Sequence, residues 1–183
     1  MSCSTHLIEC LITKGVSPKA YASSEIDSYD AQQGITYTNI YYHTKRENKP
    51  QWWYVDFVEP VAISSYQIAT ESSGCSYITK WTASVSMDFN EWIPIDQKDE
   101  ANPPNGKTYQ LNSTANARYF KIDGSTPKCT GDDPTAFCFY YIKFFGSFDL
   151  VKFRRTRNAC ATHKRRVSYI YKNTLFSILI FGK

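Results

Sequence analysis

Residues 26–50 carry the side chains whose types and spacing most favour ligand binding. Tyr41, Tyr42 and His43 are consecutive, and Arg46 follows three residues after His43. Flat aromatic rings cover the apolar face of a sugar or an aliphatic side chain, while histidine and arginine bond hydroxyls or carboxylates. A connection of this length is typically functional or disordered. The segment is therefore a candidate binding loop.

Catalysis is not favoured by the spacing of reactive residues. His6, His43 and His163 lie in a leader, a loop and a tail, and none has a nucleophile or an orienting acid beside it in the sequence. The sequence has no glycine-rich phosphate loop and no His-Glu-x-x-His motif. Its six cysteines include no Cys-x-x-Cys pair, so a zinc site is disfavoured. We expect a non-enzymatic protein, although two carboxylates of glycosidase type can meet in any fold.

The elements that must position the candidate loop are β-strands. Apolar residues alternate with polar ones through Trp53–Phe57 and again through Trp81–Met87, which is the period of a half-buried strand. A one-residue change of phase near Ser64–Ser65 predicts a bulge. Strand-like runs separated by Gly, Pro and Asn predict eight strands, at Lys19–Glu25, Trp52–Phe57, Val61–Thr70, Trp81–Met87, Trp92–Gln97, Lys107–Leu111, Arg118–Asp123 and Phe137–Phe145.

This pattern predicts an all-β fold, an eight-stranded antiparallel jelly-roll β-sandwich. We expect the first and last strands to pair, because pairing hides two edges that would otherwise promote aggregation. Trp53, Trp81 and Trp92 are predicted to pack in the core and not to stack on sugars, since they alternate with Val and Phe. Asp56, on the polar phase of its strand, is predicted to be a structural hydrogen-bond acceptor.

Six stretches, in order, resemble the signatures of the discoidin, or coagulation factor 5/8 C-type, domain. They are Ala22-Ser23-Ser24, Trp53–Phe57, Ile63–Ile68, Trp81–Trp92, Ala117–Ile122 and Ile142–Gly146. The resemblance spans about Ser17 to Ser147 and implies a galactose-binding-like sandwich. It departs from the family at Phe89, where a glycine is usual, so the turn type is open.

The resemblance implies a binding surface at the loops of one end of the sandwich, where such domains contact glycans, phospholipid headgroups or partner proteins. The corresponding loops here are residues 26–50, 71–80 and 124–136. The second loop carries no bulky apolar tip of the kind that enters lipid, so phospholipid insertion is disfavoured. The ligand-binding residues predicted on this basis are Tyr41, Tyr42, His43, Arg46, Tyr77 and Lys80.

Three structural roles also follow from the resemblance. A calcium ion near the first long loop would be held by Asp27 and Asp30 with loop carbonyls. Arg118 stands where the family has an arginine, and an ion pair with an acid such as Asp56 is predicted. A disulfide between the domain's two ends would need Cys10 and either Cys138 or Cys160.

The span of the resemblance implies a leader at residues 1–16 and a domain at 17–147, and charge sets apart a basic tail at 148–183. Residues 151–183 hold nine of the 21 Lys and Arg residues and none of the 17 acids. Such a tail could bind nucleic acid or anionic lipid through phosphates, or be a poorly ordered extension.

No apolar run is long enough for a transmembrane segment. The N-terminus lacks a signal-peptide pattern, which favours the cytosol and reduced thiols, whereas the resemblance also allows the cell surface.

The leading hypothesis is a recognition module that binds a carbohydrate or a protein through its loop end, as in cell adhesion. One alternative is an intracellular interaction or scaffold subunit, of the kind found in ubiquitin-ligase assemblies. The other is a tether that holds a polyanion or a membrane through the basic tail.

Overall fold

Antiparallel β-strands dominate the computed structural model, which describes residues 6–45, 50–70, 78–100, 102, 104–127, 136 and 138–148. The elements are helix α1 (Leu7–Thr13), β1 (Lys19–Ala22), a 3₁₀-helix (Ala31–Ile35), β2 (Tyr42–His43), β3 (Gln51–Ala69), β4 (Ile78–Ser86), β5 (Ile93–Asp99), β6 (Asn105–Pro127), β7 (Cys138–Phe139) and β8 (Tyr141–Phe148). Neither helix within these ranges is long and apolar enough to cross a membrane. The predicted all-β class is confirmed.

Two long strands, β3 and β6, run through both layers of the sandwich. In the first layer the strand order is β1-β3-β6-β4-β5, and residues 51–56 of β3 face residues 119–124 of β6. In the second layer residues 61–69 of β3 lie between residues 105–117 of β6 and strand β8. The register shifts between Asp56 and Val61, next to Val58 with its φ of 68°. This irregularity lies where the chain passes from one layer to the other.

Aromatic side chains from both layers meet in the core. The Phe144 ring of β8 lies 5.0 Å from Phe57 and 4.8 Å from Phe120, measured between ring centroids. The Trp81 indole N–H donates to the Tyr66 hydroxyl at 3.0 Å, and that hydroxyl donates to Asp96 at 2.8 Å. Apolar contacts and one buried polar chain therefore join the layers.

Several predicted strands are joined in the structure. The predicted strands 52–57 and 61–70 fall in the single strand β3, which ends at Ala69, and 107–111 and 118–123 both belong to β6. The predicted phase change near Ser64–Ser65 is confirmed as a register shift between Ile63 and Ser65. A bulge breaks the sequence alternation while the backbone ladder continues, so the sequence suggests an interruption that the strand does not have.

The predicted pairing of the first and last strands is wrong. Both strands pair with β3 instead: β1 faces residues 53–56, and β8 faces residues 61–69. Strand β3 is 19 residues long, so one edge of it accommodates both neighbours while the other edge binds β6.

Helix α1 lies within the predicted leader and was not predicted as a helix. Leu7, Ile8 and Leu11 are fully buried, and the helix packs against β8 and β3. His6 caps it by accepting the Glu9 backbone N–H at 3.3 Å. Cys10, in the same helix, is disulfide-bonded, contrary to the expectation of reduced thiols.

The terminal disulfide that the resemblance implied does not use Cys138, which keeps a buried thiol. The first compact unit of the chain ends at Phe148. Beyond that residue, the predicted basic tail lies outside the described residues.

Candidate functional site

The first long loop is closed at its base by Gln51, the first residue of β3. The hydroxyls of Ser23 and Ser24 donate to the Gln51 side-chain oxygen at 2.5 and 2.9 Å. The Lys45 backbone N–H donates to the Ser24 hydroxyl at 3.0 Å. Gln51 is only 1% exposed, so these bonds form away from bulk water. The two ends of the loop are therefore held together at a fixed point of the sheet.

The 3₁₀-helix inside the loop packs directly on the core. Asp30 caps the helix by accepting the Gln33 backbone N–H at 3.2 Å. The buried Trp53 indole donates to the Ala31 carbonyl at 2.9 Å. A Cβ at Gly34 would lie 2.7 Å from the Phe139 ring, so glycine permits this close approach. The loop base is consequently a packed structure.

Four side chains form an aromatic group at the surface of this loop, here called the loop cluster: Tyr29, Tyr41, His43 and Tyr140. The Tyr41 ring stacks on Tyr29 with centroids 4.6 Å apart and meets the edge of Tyr140 at 5.7 Å. The His43 backbone N–H donates to the Tyr29 carbonyl at 3.1 Å, which joins the two chain segments. All four side chains are half-buried. The Tyr41 ring is thus held in place while part of the cluster faces solvent.

Tyr41 and His43 are the two predicted ligand residues that lie in the loop cluster. Tyr42 does not: it is fully buried, with its hydroxyl donating to the Ser24 carbonyl at 3.1 Å and its ring 5.2 Å from Phe139. The prediction that Tyr42 contacts ligand is therefore wrong, because alternation along β2 turns it inward. Burial also raises the pKa of Tyr42. Arg46 and Tyr77 lie outside the described residues.

Lys80 lies on the β4–β5 hairpin, on different elements from those that carry the loop cluster. Its amine is 2.6 Å from the Asp99 carboxylate, and both side chains are exposed. It borders a polar cavity of about 350 Å³ lined by Lys80, Trp81, Thr82, Gln97, Lys98 and Asp99. The role of Lys80 in binding stays a prediction.

The two predicted calcium ligands have local roles in the loop. Asp27 is exposed with a φ of 43°, in the turn that Tyr29 closes with a backbone bond to Ile26. Asp30 caps the 3₁₀-helix. Across the described ranges, no group of three or more His, Cys, Asp or Glu side chains gathers where a metal could bind. Calcium binding by loop carbonyls and these two residues stays a prediction.

The predicted structural residues divide between the core and the surface. Trp53 and Trp81 are 0% and 2% exposed, as core packing requires. Arg118 donates twice to Asp56, each bond being 3.1 Å, and these bonds raise the pKa of Arg118. The predicted ion pair is present, in the bidentate form that arginine and carboxylate favour.

Trp92 is not a core residue, contrary to the prediction. It is half-buried on the solvent side of the first layer, where its centroid lies 5.5 Å from Phe89 and 6.4 Å from Tyr119. It belongs to a group of six rings on this side, here called the aromatic face: Tyr21, Trp52, Tyr54, Phe89, Trp92 and Tyr119.

Sequence reasoning missed the aromatic face as a candidate surface. The sequence does carry a signal for it: aromatic residues stand at strand positions that face away from the core. Trp52 and Tyr54 alternate with buried residues on β3, and Tyr119 lies next to the buried Phe120 on β6. Aromatic residues on the phase opposite the core indicate a surface that is not simply polar.

Comparison of the sequence and the fold with known proteins identifies the family. The F5/8 type C domain model matches residues 19–137. No curated protein matches the sequence. Among solved structures, Clostridium perfringens CpGH89CBM32-5, in complex with GalNAc-β-1,3-galactose, is 22% identical over 70% of this chain and 95% of its own, with a TM-score of 0.60.

Two further structures share the fold. The family 32 carbohydrate-binding module of C. perfringens NanJ, in complex with galactose, is 20% identical over 77% of this chain and 98% of its own, with a TM-score of 0.62. A chitosan-binding module from the chitosanase/glucanase of Paenibacillus sp. IK-5 is 17% identical over 72% of this chain and 96% of its own, with a TM-score of 0.58. The ordered sequence signatures, the two-layer sandwich and the family model agree, and the chain belongs to the F5/8 type C domain family.

Proposed function

We propose that this chain is a non-enzymatic carbohydrate-binding module that recognises a glycan through its loop cluster. The observation that carries the proposal is the Tyr41 ring, fixed between Tyr29 and Tyr140 at the surface of a loop that is closed at its base. The fold supports it as well, because solved neighbours of the same fold contain galactose or GalNAc-β-1,3-galactose.

The loop cluster suits a sugar for reasons of entropy and chemistry. A tyrosine that is already packed loses little side-chain freedom on binding, so more of its contact energy appears as affinity. The apolar C–H face of a pyranose ring packs on such a ring. His43 adds a polar group next to Tyr41, with ring centroids 6.1 Å apart. Its Nδ1 donates to the Thr44 carbonyl, which fixes the tautomer and orientation of the imidazole.

A glycan array followed by titration tests this proposal on the full chain. Tyr41→Ala should weaken binding of the best glycan about tenfold, equivalent to about 1.4 kcal/mol. Ile40→Ala is the control, because Ile40 is adjacent and 46% exposed but is not part of the loop cluster. Affinity should be unchanged in that variant.

Two results would contradict the proposal. Wild-type protein that binds no glycan, while capturing protein partners through the same loop, would assign the surface to a protein ligand. If Tyr41→Ala and wild type bind the glycan with equal affinity, the glycan-binding site is not the loop cluster.

A further inference from the structure

The aromatic face lies on the solvent side of the first layer and is not needed to fill the core. Tyr54 is its centre, with ring centroids 5.0 Å from Tyr21, 5.6 Å from Trp52 and 5.1 Å from Phe89. The flanking residues of β3, Trp53 and Val55, point the other way and are fully buried. The rings of the face are all half-buried or exposed. A continuous aromatic surface of this kind usually marks an interaction site.

Phe89 holds its place in the aromatic face at a conformational cost. Its φ is 71°, a region that residues with a Cβ avoid, and its side chain is 45% exposed. The Ser86 hydroxyl accepts its backbone N–H at 2.9 Å, and Asp88 accepts those of Asn90 and Glu91 at 2.9 and 3.2 Å. These last two bonds lower the pKa of Asp88. The backbone of Phe89 is strained, yet its ring remains exposed and fills no place in the core. Such strain is typical of functional sites, so we expect this ring to contact a ligand.

The aromatic face contains a cavity with a polar margin. The cavity has a volume of about 140 Å³ and is lined by Trp52, Tyr54, Phe89, Trp92 and Lys121. The Lys121 amine lies 4.7 Å from the centre of the Trp92 ring and 3.0 Å from the Asp123 carboxylate. Apolar walls therefore adjoin a hydrogen-bond donor and a hydrogen-bond acceptor.

The charges around the cavity are balanced, which decides between classes of ligand. Lys121 pairs with Asp123, and Arg118 pairs with Asp56 on the same side of the sheet. A phosphate or a polyanion would have to compete with these carboxylates. A neutral molecule with an apolar face and several hydroxyls can pack on the apolar walls. Its hydroxyls can also hydrogen-bond to both the amine and the carboxylate, without adding a charge to the cavity. A pyranose sugar has that chemistry, and the cavity has room for one ring.

We propose that the aromatic face is a second carbohydrate-binding site, which takes one neutral pyranose ring. The C–H face of the sugar packs on the rings of Trp92 and Phe89, and its hydroxyls bond the Lys121–Asp123 pair. The site is formed by β3, β6 and the turn between β4 and β5, so it is independent of the loop cluster. Two separate sites on one chain would raise affinity for a branched or clustered glycan through effective concentration.

The four tryptophans supply an internal test by NMR of the ¹⁵N-labelled full chain. Trp52 and Trp92 line the cavity, whereas the indoles of Trp53 and Trp81 are buried and bonded to Ala31 and Tyr66. Titration with methyl galactopyranoside and with N-acetylgalactosamine should produce saturable shifts of the two outer indole signals. The two buried indole signals should stay in place and report an intact fold.

Phe89→Gly is the sharpest variant, because glycine accepts a positive φ and the turn is kept while one cavity wall is removed. The titration of the outer indoles should weaken about tenfold in Phe89→Gly, and the titration followed by the remaining outer indole, that of Trp52, should weaken similarly in Trp92→Ala. Unmoved Trp52 and Trp92 signals at saturating sugar, or a wild-type titration in Phe89→Gly, would overturn the proposal.

The same experiment separates this site from the loop cluster. Tyr41→Ala should leave the shifts of Trp52 and Trp92 unchanged. If glycan binding depends on Tyr41 but the outer indole signals do not shift, only the proposal of a second site is contradicted. If the outer indole signals shift but Tyr41→Ala affects no binding, only the proposal of the loop site is contradicted.

Discussion

The Tyr66 hydroxyl connects three strands at a position that water does not reach. It accepts the Trp81 indole N–H from β4 and donates to Asp96 of β5, while its own ring stacks on Tyr109 at 5.2 Å. Tyr66 is fully buried and Trp81 is 2% exposed. A buried donor that loses its acceptor carries its full desolvation cost, so this hydroxyl matters more than an ordinary surface one.

Tyr66→Phe should lower the free energy of unfolding by about 1–3 kcal/mol, because the Trp81 indole then has no acceptor at that site. Urea unfolding followed by tryptophan fluorescence measures it. Tyr21→Phe is the matched control: Tyr21 is 43% exposed, and its change should stay within about 0.5 kcal/mol. Equal stabilities of the two variants would contradict the role given to Tyr66.

Alternation along a strand predicts which side a residue faces, and on that basis the burial of Trp53 could be predicted. The Asp56–Arg118 pair followed from the family resemblance. It does not say what covers the residue. Tyr42 is buried because Phe139, distant in the sequence, packs on it. Trp92 remains at the surface because its neighbours are the other rings of the aromatic face.

The pairing of β3 with β8 depends on one glycine. Gly146 has a φ of 153° and faces Ile63 where the register of the two strands shifts. A Cβ added there would collide with the Ala62 backbone carbonyl oxygen. The strands could not keep their spacing, because the obstacle is backbone and not a movable side chain.

Gly146→Ala should therefore destabilise the domain by more than about 3 kcal/mol, or prevent folding. Gly15→Ala isolates the contribution of the collision, since Gly15 also has a positive φ, of 77°, but a Cβ there would meet nothing within 4 Å. That variant should lose about 1 kcal/mol. Thermal unfolding of both proteins is the measurement, and similar losses would show that backbone conformation alone is responsible.

At the level of elements, the sequence predicted where strands lie better than where they end. Bulges in β3 and β6 break the alternation, so each long strand looked like two. Helix α1 is only seven residues long, and its buried Leu7, Ile8 and Leu11 are too few to establish a helical period. Its stability comes from packing on β8, which depends on the tertiary fold.

Four tyrosines make the stability of the whole domain sensitive to alkaline pH. Burial raises the pKa of Tyr37, Tyr42, Tyr66 and Tyr109. In the unfolded chain the same phenols ionise near pH 10. The folded state then binds more protons than the unfolded state above that pH, so stability is complete below about pH 10 and falls as the pH rises.

The melting temperature should accordingly be level from about pH 8 to 9.5 and decline steeply above about pH 10. Differential scanning calorimetry across this range measures it. Absorbance of phenolate at alkaline pH gives a second readout, because these four phenols should titrate only as the domain unfolds. A level melting temperature above pH 10 would contradict their burial as protonated phenols.

The fold class could be predicted because two signals agreed: strand alternation and the order of the family signatures. The relation between the layers could not, because it depends on bends in β3 and β6 that leave only a change of phase in the sequence. The loop cluster was predicted in part, at Tyr41 and His43. Tyr29 belongs to the same loop, but its stacking on Tyr41 leaves no sequence pattern, and Tyr140 reaches the cluster from far along the chain.

The sharing of β3 and β6 between the layers has a consequence for synthesis on the ribosome. Strand β3 needs a partner from β6 in the first layer at residues 119–124 and in the second at residues 105–117. A nascent chain that ends before Asn105 can form the β1–β3 and β4–β5 pairs, but it has no strand to join them. Both halves of the domain must wait for the same late segment, and until it emerges their apolar sides stay open to chaperones.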